Sequence, residues 1–153
     1  MRVETRLFGE IDIEDDKVIT LHSGLIGFPE MKSFTLIYDE QKKGNIMWFQ
    51  SLDEPQFAMP VLDPNLLDID YNPVVNDELL SPLGELREDN LFVLVTLTVP
   101  ADVKKMTVNL RAPMVINTDT MLADQIMVED DDAPIRFPIY DVLKKAKEGK
   151  DGE

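Results

Sequence analysis

A chain of 153 residues, 44% of them hydrophobic, is long enough for one domain with a real core, and nowhere does it hold the roughly 20 consecutive apolar residues of a membrane helix. Thirty acidic residues against fifteen basic ones give a formal charge of −15, which opposes direct nucleic-acid binding and favours encounter with a basic protein. No cysteine is present, which excludes disulfides, thiol nucleophiles and thiolate metal sites.

Val3, Thr5 and Leu7 alternate with Arg2, Glu4 and Arg6 before Gly9, the period-two pattern of a half-buried strand. Charges interleaved in this way are unlike a signal peptide, so a soluble, cytoplasmic protein is expected. Ile11 and Ile13 alternate with acids, Asp15 and Asp16 suit a turn, and Val18 to Leu21 runs back, which predicts a hairpin between those segments. His22 to Glu30, HSGLIGFPE, has two glycines and a proline around Leu25, Ile26 and Phe28, a tight loop with apolar groups to bury. Phe34 to Tyr38 and Ile46 to Phe49 read as a further hairpin around a polar loop. Pro55, Pro60 and Pro64 forbid a long helix, and Phe57 to Leu62 fits a short strand at a sheet edge. Leu66, Ile69 and Tyr71 are expected to continue the sheet irregularly, and Asn76 to cap a short helix through Leu80 that Ser81, Pro82 and Gly84 close.

The strongest pattern follows. In Leu91–Val99 the residues Leu91, Val93, Val95, Leu97 and Val99 form one face, with Thr96 and Thr98 on the other; in Thr107–Asn117 the alternating set is Val108, Leu110, Ala112, Met114 and Ile116. Joined through Pro100–Lys105, the two runs predict a central hairpin. Burying those ten side chains is worth on the order of 15–30 kcal/mol before chain entropy is subtracted. Leu122 to Val128 reads as another strand and Glu129 to Asp132 as an acidic tip. A C-terminal helix is predicted from Pro138, with Ile139, Val142, Leu143 and Ala146 as its apolar stripe and Gly149 as its end. The fold class expected is mostly β: a small antiparallel β-barrel-like or sandwich domain with one or two short helices, spanning residues 1–148, with 149–153 a frayed tail.

No catalytic, cofactor or metal site emerges. His22 is the lone histidine and reads as a loop residue. Gly24 and Gly27 lack the lysine and hydroxyl residue of a phosphate-binding loop, so turn geometry explains them better. Glu129, Asp130, Asp131 and Asp132 alternate in direction and lack EF-hand spacing, so a solvated turn is favoured over a cation site. These four acids, with Phe28 and Phe57 as apolar anchors, are the candidate partner-binding residues.

Five segments in order, GEI at Gly9, HSGLIGFPE at His22, FQSLDEPQFAMPVLDP from Phe49 to Pro64, TVNLRAPMVIN at Thr107 and QIMV at Gln125, resemble the bacterial flagellar assembly factor FliW family from Gly9 to about Val128. The resemblance implies a small β-barrel-like protein without enzymatic activity or cofactor, which binds flagellin and the RNA-binding translational regulator CsrA. Free protein would capture CsrA and so relieve repression of flagellin translation. A monomer is expected. The alternatives are a small-molecule-binding β-barrel, another acidic protein-interaction module, or a hydrolase using two of the thirty acids.

Overall fold

A computed structural model describes residues 1–38, 46–66, 71–130 and 132–144. The strands in chain order are β1 (Arg2–Thr5), β2 (Gly9–Asp12), β3 (Ile19–Leu21), β4 (Ser33–Tyr38), β5 (Ile46–Ser51) and β6 (Ala58–Leu62). After the short helix α1 (Asp77–Leu80) come β7 (Leu91–Thr98), β8 (Thr107–Val108), β9 (Met114–Asn117), β10 (Leu122–Gln125) and β11 (Phe137–Pro138), and a helical turn follows over 140–144. The fold is mostly β, as the sequence predicts.

Seven of these strands close on themselves in the order β7-β6-β5-β4-β3-β10-β9, with β9 pairing back onto β7. Closure leaves no open edge in the barrel wall. All of its pairs are antiparallel except β3 with β10, where Thr20 faces Leu122 and Leu21 faces Ala123. Phe34, Phe49, Leu21, Leu94, Met114 and Ile116 fill the interior, with Phe34 and Phe49 stacked at 4.3 Å between centroids. A barrel packed this way has a side-chain core in place of a ligand chamber, which weighs against the small-molecule alternative.

Two further apolar layers cover the outside of the wall. One joins Leu62, Val95, Leu97 and Val108 to Ile139, with Tyr71, Phe137, Val142 and Leu143 around them. The other sets Leu83 against Val115 and Ile126. Several strands therefore bury both faces, and this corrects the reading of the central hairpin. Leu94 and Phe92 point into the barrel, Val95 and Leu97 lie outside beneath the C-terminal segment, and Leu91 and Val99 are exposed.

The central hairpin itself is present, but its second strand is interrupted. Between the pairs Leu94–Met114 and Leu97–Val108, three steps along β7 face six along its partner, so three extra residues bulge out. Asn109 and Pro113 cause the break: the Asn109 carboxamide oxygen accepts the Arg111 and Ala112 amides, and proline has no amide to donate.

Other expectations change for physical reasons. β2 pairs with β1 instead of with the Val18–Leu21 segment, because the turn at Arg6–Phe8, tied by the Thr5 hydroxyl to Phe8 N and Gly9 O, comes first in the chain. Phe57–Leu62 yields β6, an inner strand; Pro60 is tolerated because β7 pairs with β6 only from Val61 onward. Leu66 lies in a 3-10 turn, Tyr71 lies outside any strand, and Ile69 lies outside the described residues. β10 stops at Gln125, although Ile126 and Val128 continue in extended form through bonds to Pro113 O and Arg111 O. Pro138 ends β11 and does not open the helix, which begins at residue 140; Ala146, Gly149 and the tail lie outside the described residues. The hairpin of β4 with β5 is as predicted, its polar loop over 39–45 lying outside the described residues. The Asn76 cap is also as predicted, its carboxamide accepting Glu78 N at 2.9 Å.

Candidate functional site

Three connections meet at one end of the barrel: the Arg6–Phe8 turn, the loop between β3 and β4, and the loop between β5 and β6. Each is held by a side chain from a strand. Gln50, 1% exposed, accepts the Arg6 amide at 3.2 Å, while its Nε2 lies within hydrogen-bond distance of the Ser51, Pro55 and Phe57 carbonyls. Asp53 accepts both Lys32 N and Ser33 N at 2.9 Å, fastening the second loop to the third. On β10, Asp124 accepts Ser23 N at 3.0 Å and Gln125 accepts Ile26 N at 3.1 Å. Gln125 also donates to Ala112 O, so it bridges the loop to the bulge of the central hairpin.

Gly24 has φ +76°, and a Cβ there would run into the Pro29 backbone, with Pro29 Cα at 2.7 Å. The HSGLIGFPE loop is therefore folded on itself, and Leu25 is buried while Ile26 and Phe28 are about half exposed. The Phe28 ring rests on Phe57 at 5.6 Å between centroids, and Phe57 meets the core ring of Phe34 edge-on at 6.4 Å. Leu7 at the tip of the first turn and Met127, two residues past Gln125, are also about half exposed. Phe28 seated on Phe57 is thus an exposed apolar group on a loop braced by Asp124, Gln125 and Asp53, the kind of feature that marks a protein contact.

Of the candidate partner residues, Phe28 and Phe57 are thus brought together. The acidic run is held elsewhere: Glu129 N bonds to Val74 O, and Asp130 accepts Asp132 N and Ala133 N, through its carboxylate and its carbonyl respectively. Glu129, Asp130 and Asp132 are exposed, and Asp131 lies outside the described residues. Asp130 borders a cleft of about 430 Å³ whose walls include Tyr71, Leu110 and Phe137. In that wall the Tyr71 hydroxyl donates to Leu110 O at 2.6 Å, and burial pushes its pKa up to about 12.

His22 sits beside Ser23 and Asp124, which invites comparison with a hydrolytic triad. The geometry fails: the same nitrogen, Nδ1, faces Ser23 Oγ at 3.3 Å and Asp124 Oδ2 at 4.0 Å, whereas a triad needs the two partners on opposite ring nitrogens. Asp124 serves the Ser23 amide instead. Among the described residues no group of three His, Cys, Asp or Glu side chains converges on a metal position, and no helix is long and apolar enough to cross a membrane.

The sequence profile described as FliW protein matches residues 2–139. The chain belongs to the FliW family. It is 47% identical over 148 residues to the flagellar assembly factor FliW of Lachnospira eligens, covering 95% of this chain and 98% of that one. It is 42% identical over 155 residues to the FliW of Lachnoclostridium phytofermentans, covering 100% and 99%. A crystal structure of the flagellar assembly factor FliW superposes with a TM-score of 0.84 at 25% identity, over 92% of this chain and 97% of that one. Four of the segments that carry the resemblance to FliW reach the braced end of the barrel in part or whole, through His22–Glu30, the Phe49–Phe57 part of Phe49–Pro64, Ala112 within Thr107–Asn117, and Gln125, and Gly9 of the fifth meets the Thr5 hydroxyl of the first turn; Leu62 and Asn117 lie toward the other end. Gln50, Asp124, Gln125, Leu7 and Met127 escape sequence reasoning. For Gln50 and Gln125 the signal was available, since each is an amide inside an apolar strand run.

Proposed function

We propose that this FliW-family chain acts in the cytoplasm as a monomeric, non-enzymatic flagellar assembly factor that binds the regulator CsrA and flagellin. CsrA captured by the free protein no longer represses flagellin translation, and rising flagellin reverses the capture. The observation that carries the reading is the exposed Phe28, seated on Phe57 in a loop whose amides are fixed by Asp124 and Gln125. An apolar anchor presented on a preorganised loop loses little entropy on binding, and the net charge of −15 steers a basic partner toward it. The acidic run at Glu129, Asp130, Asp131 and Asp132 contributes to that steering.

Titrating flagellin into a complex with CsrA tests the switch: CsrA is expected to be released, and a stable ternary complex at saturating flagellin would overturn it. Stopped-flow mixing with CsrA assigns the surfaces. Phe28→Ser is expected to raise the dissociation rate, whereas Glu129→Gln with Asp130→Asn and Asp132→Asn slows association at low salt and leaves dissociation nearly unchanged. Wild-type rates for both variants would remove these residues from the contact. A mass above one chain in light scattering would overturn the monomer.

A further inference from the structure

The opposite end of the barrel carries a second, different surface. β4 finishes there at Tyr38 and β10 begins there after Met121, far from the β3–β4 loop that Phe28 occupies. Between the Asp12–Lys17 segment and the barrel wall lies a groove of about 790 Å³. Ile19, Leu36 and Met121 form its apolar floor, and Tyr38, 62% exposed, stands at its rim. Such a volume admits a few side chains of a partner chain and no folded domain.

The rim sets the chemistry of the occupant. Among the described residues, Asp12, Glu14, Asp16 and Asp119 line the groove together with one cation, Lys17. Asp12 already meets the N-terminal amine at 3.3 Å and Asp119 meets Arg87 at 2.7 Å, which leaves Glu14 and Asp16 as the lining carboxylates without an ion pair among the described residues. Met121 holds φ +58°, the left-handed region that an unbranched side chain adopts at some cost, and the Asn117 side chain, 1% exposed, fixes the turn that imposes it by accepting Asp119 N and Thr120 N. The floor is thus built before any ligand arrives.

We propose that this groove docks a short basic amphipathic peptide segment of a partner protein, one apolar side chain entering over Met121 and Leu36 while flanking Lys or Arg residues meet Glu14 and Asp16. The inference stands apart from the Phe28 surface and does not depend on which protein binds there. A fluorescein-labelled peptide alternating lysine with leucine is the probe, with an all-lysine peptide of equal length as its control. Titrated into the full chain and followed by backbone-amide NMR, the alternating peptide is expected to shift residues 12–19, 35–38 and 118–121 together. Its affinity is expected to fall several-fold in Glu14→Gln with Asp16→Asn, and again in Tyr38→Ala, with thermal midpoints retained. Shifts centred on the Phe28 loop or scattered over the acidic surface would overturn the proposal. So would equal binding of the all-lysine peptide, or unchanged affinity in both variants.

Discussion

The rings of Phe28 and Phe57 lie 5.6 Å apart at an interplanar angle of 57°, and they form the outer half of an aromatic chain that continues through Phe34 to Phe49 in the barrel. Burial falls along that chain from the fully buried Phe34 and Phe49 to the half-exposed Phe28. Phe57→Ala is therefore expected to cost about 2–3 kcal/mol and Phe28→Ala less than about 1 kcal/mol. A double-mutant cycle should give a coupling of about 0.5–1.5 kcal/mol. Equal losses from both substitutions in urea unfolding would make Phe28 a core residue and not a contact residue.

Gly24 and Gly27 both have positive φ, at +76° and +91°, but they differ in what surrounds them. A Cβ at Gly27 meets nothing within 4 Å, so Gly27→Ala carries only the backbone penalty of about 1–2 kcal/mol. Gly24→Ala must also displace the Pro29 backbone, and a larger loss is expected, with Ile26 and Phe28 shifted from their places. Paired unfolding midpoints check the ranking; a Gly24 variant as stable as the Gly27 variant would contradict it.

Gln50 is a buried polar residue whose contacts reach the first turn and the β5–β6 loop at once. Gln50→Met keeps the volume but leaves the Arg6 amide and the Pro55 and Phe57 carbonyls without that partner, a cost of about 1–3 kcal/mol. Faster hydrogen exchange at Arg6, with the barrel strands unaffected, is the expected signature. Unchanged exchange there would show that the β1–β2 ribbon is anchored by other contacts.

Tyr71 gives a stability change at alkaline pH. Its folded pKa is raised from 10 to about 12 by burial, so between those values the unfolded chain loses the phenolic proton before the native one does. Its contribution is fully present below about pH 10 and is lost as pH rises toward 12. Urea midpoints measured across that window should fall for the wild type, and Tyr71→Phe should remove this part of the slope. Equal slopes in the two proteins would place the Tyr71 hydroxyl in solvent, free of its bond to Leu110 O.

Local chemistry was enough to place the short elements. Asn76 capping α1, the alternation of Phe34–Tyr38 and Ile46–Phe49, and the turn-forming HSGLIGFPE loop each depend on neighbours in sequence, so they could be read from the chain alone, as could the acidic charge and the absence of thiol chemistry. What closes the barrel could not. The pairing of β9 with β7, the parallel pair of β3 with β10 and the grip of Gln125 on Ile26 join residues up to 102 positions apart. Period-two alternation says that two faces of a strand differ, and it loses its meaning when both faces are covered. Leu94 and Val95 are each fully buried, one in the barrel and one beneath Ile139, and only the tertiary contacts decide which of them faces inward. The same holds for the candidate site: Phe28 and Phe57 could be singled out by residue type, but it is the closed barrel, by bringing their two loops to one rim, that makes them a single surface.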